Sequence, residues 1–214
     1  MSASRDEILA RIRTALGRER LDERTRAGLE ERISNPPSHP RPPLDKEPVK
    51  SFEARLKAVH GMFRTTGGSQ VIDAIAACLK EHDMPRAPIA APALEDLPWP
   101  EDWNVTFGAS KGEDRVSVTP CFAAVAETGS VVLLSGPDSP TSLNFLPDCH
   151  IVLVRADQLV GHVEDVWKKL RDAGVSPRTV NFITGPSKTA DVEQTIQYGA
   201  HGPRALEIVF ITGD

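Results

Sequence analysis

Short apolar runs, several of them continuous rather than alternating with polar residues, constrain the fold of this chain more than any other feature. They lie at Ala87–Ala91, Val105–Phe107, Val116–Val118, Val131–Leu134, Ile151–Val154, Val180–Ile183 and Leu206–Ile211. A strand that is apolar on both sides is buried on both faces, as happens when helices cover a sheet from above and below. The runs therefore predict an α/β fold with three layers, in which a mostly parallel sheet carries helices on both faces.

The last third of the chain alternates between strand and helix patterns. The run HIVLV is followed by a helix pattern over Asp157–Ala173, the run VNFIT, a helix pattern over Ala190–Tyr198 and the run ALEIVFI. This order predicts two successive βαβ units. Apolar residues at helical spacing also predict helices over Phe52–Thr65 and from Ser69 to Leu79.

The residues before the sheet pattern divide into two segments. Residues 1–34 are charged, and their apolar residues recur at helical spacing, which predicts an N-terminal helical segment. Six prolines fall between Asn35 and Pro48, so residues 35–50 are predicted to form an extended linker. The α/β domain is then expected over residues 51–214. The helical segment has two docking alternatives, its own domain or a second subunit, and the sequence does not choose between them.

Composition excludes several classes of function. The formal net charge is −5 and there is no basic patch, which argues against nucleic-acid binding. No apolar run approaches the ~20 residues of a membrane span, and the N-terminus lacks the apolar core of a signal peptide, so we expect a cytoplasmic protein without membrane insertion. Cys78, Cys121 and Cys149 are widely spaced, which predicts reduced thiols and no iron–sulfur cluster.

A carboxylate followed by a glycine turn is the first candidate for chemistry. Glu127, Thr128 and Gly129 come directly before the strand run VVLLS. Gly129 suits a turn with positive φ. A partly desolvated Glu127 at the end of a strand has the chemistry of a base or a nucleophile. The alternative is that Glu127 accepts hydrogen bonds within the turn or is solvated.

The second candidate is the segment that follows the strand run VNFIT. It contains Gly185, Ser187, Thr189 and Asp191, and Ser187 is a natural N-cap for a following helix. The free N–H groups of such a helix start bind anions, so these residues predict a ligand-binding site. The alternative is a well-capped helix without a ligand.

Two loops supply further candidates. His201 lies between two glycines, and an imidazole on a loop acts as acid, base or donor near neutral pH. Asn144 lies in the long segment GPDSPTSLNFLP, and loops of this length are often functional. None of the six histidines falls in a pattern such as H-x-x-x-H, so we predict no metal site. No G-x-G-x-x-G follows a strand, so we predict no nicotinamide or flavin cofactor.

Several of these strings together resemble one protein family. They are CFAAVAETGSVVLLS, LPDCHIVLVRADQLV and NFITGPSKTADVEQTIQYGAHGPRALEIVFI, and the opening EILARIRTALG also fits. They resemble the LUD domain of the lactate utilization protein C family over roughly residues 51–214. The order of the motifs A-E-T-G, P-x-x-H-I-x-V, G-P-S-x-T-A-D-x-E and G-x-H-G-P is far more specific than any one of them.

The resemblance implies a fold and a role. The fold would be like that of CoA transferases and ribose-5-phosphate isomerase, with ligands at the carboxyl ends of the strands. The role would be in the oxidation of L-lactate to pyruvate beside iron–sulfur partner proteins, without a redox cofactor in this chain. By analogy with CoA transferases, Glu127 would stand where that fold places a nucleophilic glutamate. The alternative is a stand-alone enzyme or binding module for a small anionic ligand, such as an acyl-CoA, a phosphosugar or a hydroxy acid.

Overall fold

A computed structural model describes residues 2–17, 21–35, 40–44, 46–189, 197–199 and 201–213. The chain divides into two compact units, residues 1–41 and residues 42–214. The first unit contains helices α1 (Ser2–Ala15) and α2 (Glu23–Ser34), and the carboxylate of Asp22 caps α2 by accepting a hydrogen bond from the N–H of Thr25 at 2.8 Å. The predicted N-terminal segment is therefore helical, while the predicted domain limits stay a prediction.

The second unit alternates strands with three helices. In chain order it contains α3 (Pro48–Ala58), β1 (Met62–Gly67), α4 (Val71–Glu81), β2 (Ile89–Ala90), β3 (Thr106–Phe107), β4 (Val116–Pro120), β5 (Ala123–Val125), β6 (Ser130–Leu134), β7 (Cys149–Arg155), β8 (Leu159–Val160), α5 (Val163–Asp172), β9 (Val180–Ile183), β10 (Lys188–Thr189), β11 (Gln197–Tyr198) and β12 (Ala205–Thr212). Within the described residues, no helix is both long enough and apolar enough to span a membrane.

A six-stranded parallel sheet forms the centre of this unit. Its strand order is β1-β12-β7-β4-β2-β3, and each neighbouring pair is parallel. On β7, Ile151 and Leu153 pack with the core on one face, whereas Val152 and Val154 pack with the core on the other. Burial on both faces explains the continuous apolar runs and confirms the predicted α/β class.

Different layers cover the two faces of the parallel sheet. Helix α4 covers one face through residues such as Ile75 and Leu79. The other face packs against Phe52 and Leu56 of α3 and against a second, four-stranded sheet. Helix α5 then covers the outer side of that second sheet. Helices thus lie on both faces, as predicted, but the second sheet shares one face and adds a layer.

The prediction of two successive βαβ units is wrong. Strand β9 belongs to the second sheet, whose order is β8-β5-β6-β9, and it pairs antiparallel with β6. Strands β7 and β12 instead lie side by side, with Val152 opposite Ile208. Helix α5 does lie between β7 and β9 in the chain, as the alternation of patterns predicts. The sequence does not reveal which sheet a strand joins, and for this reason the predicted pairing is wrong.

The predicted helix over Phe52–Thr65 is also wrong in its second half. Helix α3 ends at Ala58, His60 has φ +68°, and the chain then enters β1. A Cβ at Gly61 would collide with the side chain of Leu56, so the turn needs a glycine there. Phe63 still packs on Phe52, with ring centroids 5.9 Å apart, which is why its spacing imitated a helix.

The segment after β9 does not begin a helix at Ser187. Lys188–Thr189 forms β10, which pairs antiparallel with β11. The predicted helix over Ala190–Tyr198 is therefore wrong at its last two residues, and its other residues, Asp191 among them, lie outside the described part of the chain. Strand geometry at Thr189 means that Ser187 and Thr189 do not form the predicted anion site of a helix N-terminus.

Candidate ligand-binding cavity

A cavity of about 250 Å³ lies where the two sheets meet, near the amino ends of β7 and β12 and the carboxyl end of β9. We call it the Asn144 cavity. Its lining residues are Asn144, Phe145, His150, Phe182, Ile183, Thr184, Gly185, Ser187, His201, Gly202, Pro203 and Leu206. Apolar side chains form much of the wall, and a few polar groups converge on it, which is the usual composition of a small-molecule site.

Asn144 and His150 are the two polar lining residues that are fully buried. Asn144 is 1% exposed, and neither its amide nitrogen nor its amide oxygen has a hydrogen-bond partner among the described residues. His150 is 0% exposed; its Nε2 lies 2.8 Å from Oγ1 of Thr119, while its Nδ1 has no partner there. An unsatisfied buried polar group costs about 1–3 kcal/mol, so three such atoms on one cavity make it a candidate ligand site.

Burial keeps His150 neutral. Loss of solvation lowers its pKa from 6.5 to about 3, because the charged imidazolium cannot be hydrated there. A neutral imidazole has one nitrogen that donates and one that accepts. His150 therefore recognises a polar group of a ligand without carrying charge at neutral pH.

Two loops form the mouth of the cavity and are tied together through the backbone. The N–H of Ser187 donates to the carbonyl of Pro203 at 2.8 Å, and the N–H of Gly199 donates to the carbonyl of Ser187 at 3.0 Å. His201 is exposed beside this junction. The described lining residues include no lysine, arginine, aspartate or glutamate.

Four of the predicted site residues meet in this cavity. They are Asn144, Gly185, Ser187 and His201. Gly185 also has a packing reason, because a Cβ there would lie 3.0 Å from Cγ2 of Val59. Thr189 lies in β10 and does not line the cavity.

Glu127 and Thr128 lie in a different cavity. It has a volume of about 270 Å³ and is also lined by residues 42–44 and by Arg55 of α3. Oε2 of Glu127 is buried without a hydrogen bond among the described residues, and it lies 3.8 Å from Nε2 of His162. The same Nε2 lies 2.9 Å from the carbonyl oxygen of Pro42, so the chain entering the second unit passes beside this carboxylate.

Gly129 is explained by packing of its turn against α3. Its φ is +70°, and a Cβ would lie 2.6 Å from the backbone nitrogen of Leu56. Any side chain would force the turn away from the helix backbone. The contact accounts for the glycine without a ligand, and its predicted ligand-binding role stays a prediction.

A chain of three hydroxyl groups connects the two cavities. Oγ of Ser130, which is 3% exposed, donates to Oγ1 of Thr128 at 2.8 Å and lies 2.8 Å from Oγ1 of Thr184. Thr128 lines the Glu127 cavity, and Thr184 lines the Asn144 cavity. Ser130 therefore fixes both neighbours from a buried position on β6.

The carboxyl ends of β1, β7 and β12 border a third cavity, of about 560 Å³. The resemblance predicted ligands at this end of the sheet, yet none of the predicted site residues lines it. Its charged groups Arg155 and Asp157 pair with each other at 3.0 Å. The four predicted residues of the Asn144 cavity lie instead near the amino ends of β7 and β12. They meet there because the segments before these two strands face the carboxyl end of β9.

Sequence reasoning missed His150 and Thr184 as site residues. His150 had been set aside because it belongs to no metal pattern, although a histidine inside the apolar run CHIVLV was a usable signal. A polar residue in a strand buried on both faces must find a partner or a ligand. Thr184 had no such signal, since it follows its strand like any loop residue.

The three cysteines are buried and free, as expected for reduced thiols. Loss of solvation raises the pKa of each of Cys78, Cys121 and Cys149 to about 12. The thiols therefore stay protonated at neutral pH and are poor nucleophiles.

Comparison with known proteins finds a family model that matches part of this unit. The family model described as the LUD domain matches residues 113–211, which include every polar lining residue of the Asn144 cavity. Residues 113–211 are thus similar to the LUD domain. Of the second unit, α3, β1, α4, β2, β3 and the segment at residues 42–44 lie before the match, and β1, β2 and β3 belong to the same six-stranded sheet as β4, β7 and β12.

Similar proteins carry the name lactate utilization protein C. The one from Anoxybacillus flavithermus is 32% identical over 114 residues, 51% of each chain, and the one from Deinococcus radiodurans is 28% identical over 188 residues, 82% of this chain and 85% of the relative. An uncharacterized protein of Neisseria meningitidis is 39% identical over 92 residues, 42% of this chain and 39% of the relative. The relatives from Anoxybacillus flavithermus and Neisseria meningitidis are thus matched over about half of their length or less.

A solved structure shares the fold. The crystal structure of a DUF162 family protein from Deinococcus radiodurans superposes with a TM-score of 0.61 at 24% identity, covering 79% of this chain and 99% of that chain. The likeness supports the arrangement of the sheets around the LUD domain.

Proposed function

We propose that this protein takes part in lactate utilization and that the Asn144 cavity binds a small hydroxy acid. The observation that carries the proposal is the set of three unpartnered polar atoms on Asn144 and His150, both fully buried at the cavity wall. Support for the pathway comes from the names of the relatives, several of which are called lactate utilization protein C.

The size and charge of the cavity favour a hydroxy acid over the other anionic ligands. Its volume of about 250 Å³ is below the ~300–1,000 Å³ of typical ligand pockets, which suits a molecule of few atoms. Acyl-CoA and phosphosugars carry phosphates, and proteins bind phosphate mainly with arginine and lysine. Neither residue type occurs among the described lining residues, whereas Asn144 and Ser187 supply neutral donors for a single carboxylate.

Replacing Asn144 with leucine is expected to abolish the function without destabilising the fold. Leucine has a similar shape and lacks the two unpartnered amide atoms, so the free energy of unfolding should stay equal or rise by up to about 1–3 kcal/mol. A strain that lacks the gene and carries this variant should fail to grow on L-lactate, whereas the wild-type gene restores growth. Growth curves and denaturant unfolding of the purified variant measure the two effects.

Asn181→Leu is the matched control, because the amide nitrogen of Asn181 is also buried and unpartnered among the described residues but does not line the cavity. Normal growth with Asn144→Leu would overturn the cavity as the functional site.

In the same strain, Glu127→Gln tests the predicted catalytic carboxylate. Lost growth with normal accumulation of the protein would support catalysis by Glu127, and full growth would make it a turn residue.

We also propose that the protein works beside iron–sulfur partner proteins. The proposal follows from the resemblance to the lactate utilization protein C family. A tagged chain, expressed at its native level in cells grown on L-lactate, should co-purify with proteins that show the visible absorption spectrum of iron–sulfur clusters. Recovery of the tagged chain alone, under conditions in which the cells oxidise lactate, would contradict the partnership.

A further inference from the structure

We infer that the Asn144 cavity selects a ligand whose hydroxyl donates to Thr184, and therefore binds a hydroxy acid in preference to the matching oxo acid. The inference deepens the proposed function and rests on it, since it concerns the ligand of the same cavity. It follows from the direction of the hydrogen bonds among Thr184, Ser130 and Thr128.

Each of these hydroxyl groups has one hydrogen to donate. Ser130 donates its hydrogen to Oγ1 of Thr128 at 2.8 Å. Oγ of Ser130 and Oγ1 of Thr184 are also 2.8 Å apart, so they share a second hydrogen bond, and the hydrogen in it must come from Thr184. Thr184 thus has no hydrogen left for a ligand.

Two observations support this direction. Ser130 is 3% exposed, so water does not compete for its hydrogen. The bond between Ser130 and Thr128 has Ser130 as its donor, and reversing the chain would need Thr128 to donate in its place. Thr184, which lines the cavity, therefore has only oxygen lone pairs to offer a ligand.

Lone pairs distinguish a hydroxyl from a carbonyl. A hydroxy acid places an O–H opposite Thr184 and donates to it. The oxo acid places a carbonyl oxygen there, so two acceptors face each other with no hydrogen between them. A site that uses a hydrogen bond to a ligand hydroxyl strongly rejects the analogue that lacks the hydrogen.

The test compares the dissociation constants of L-lactate and pyruvate from the full chain. Both are measured by calorimetry or by ligand-observed NMR. We expect L-lactate to bind about tenfold more tightly than pyruvate, or better. Ser130→Ala releases the hydrogen of Thr184, and Thr128→Val removes the acceptor that commits the hydrogen of Ser130. Both variants should reduce the preference towards equal binding, and two independent changes guard against misfolding of one of them.

Ser110→Ala is the control, because Ser110 is a buried serine bonded to Asp114 at 2.7 Å and does not line the cavity. It should leave the preference unchanged. If L-lactate and pyruvate bind equally to the wild-type chain, or if both Ser130→Ala and Thr128→Val keep the full preference, the inference is overturned while the proposed function stands. If neither acid binds, the proposed ligand fails and the inference fails with it.

Discussion

Replacing His82 with alanine is expected to lower the free energy of unfolding by about 1–3 kcal/mol, because it removes a hydrogen-bond partner of a buried carboxyl group. Glu207 lies on β12 in the middle of the parallel sheet and is 0% exposed. Its Oε1 is 2.7 Å from Nε2 of His82 at the end of α4, and Sγ of Cys78 is 3.6 Å from its Oε2. Denaturant unfolding monitored by circular dichroism measures the loss.

Two variants make this experiment specific. Glu207→Gln in the His82→Ala background replaces the stranded carboxylate with a neutral amide and should recover part of the loss. Arg86→Ala breaks the exposed Arg86–Asp102 ion pair, whose side chains are 64% and 65% exposed, and should cost less than about 1 kcal/mol. If His82→Ala and Arg86→Ala lower the free energy of unfolding by similar amounts, the buried His82–Glu207 contact stabilises the fold no more than an exposed ion pair, which would contradict the prediction.

Acid is expected to destabilise the folded chain through His150. The folded pKa is about 3 and the unfolded value is near 6.5, so below pH 6.5 the unfolded chain binds a proton that the folded chain does not. The stability contributed by the neutral imidazole is complete above pH 6.5 and is lost as the pH falls towards 3. The free energy of unfolding should fall by about 1 kcal/mol per pH unit from this residue, or about 2 kcal/mol between pH 6.5 and 5.

His150→Gln isolates this contribution. Glutamine does not titrate, and its side chain is long enough to keep a hydrogen bond to Thr119. Urea unfolding of both proteins at several pH values between 5 and 7 gives two slopes, and the variant should show the flatter one whatever its absolute stability. Equal slopes would mean that His150 becomes protonated in the folded chain.

Much of the fold could be predicted because burial marks the sequence directly. The runs at Val116–Val118, Ile151–Val154 and Leu206–Ile211 became neighbouring strands of one parallel sheet, since a strand buried on both faces is mostly apolar. The pairing of β9 could not be predicted. Val180–Ile183 is as apolar as the others, yet it joins the second sheet beside β6.

The candidate site could be predicted in part. Loop position predicts Asn144 and His201, a helix N-cap pattern predicts Ser187, and the fold brings all three to one cavity. Glu127 was chosen on equally good grounds, but its turn packs against α3 in another cavity. Local chemistry thus identified polar residues on loops without indicating which of them meet.

The sequence by itself determined the class of the fold, the burial of its strands and the resemblance to the LUD domain, because hydrophobic pattern and motif order can be read directly from the sequence. Only the tertiary structure decided that His150, Asn144 and Thr184 share one cavity, since residues 144, 150 and 184 come from three segments that meet where two sheets pack. It also decided the direction of the hydroxyl chain through Ser130. Hydrogen-bond direction depends on distances between side chains that sequence separation does not fix.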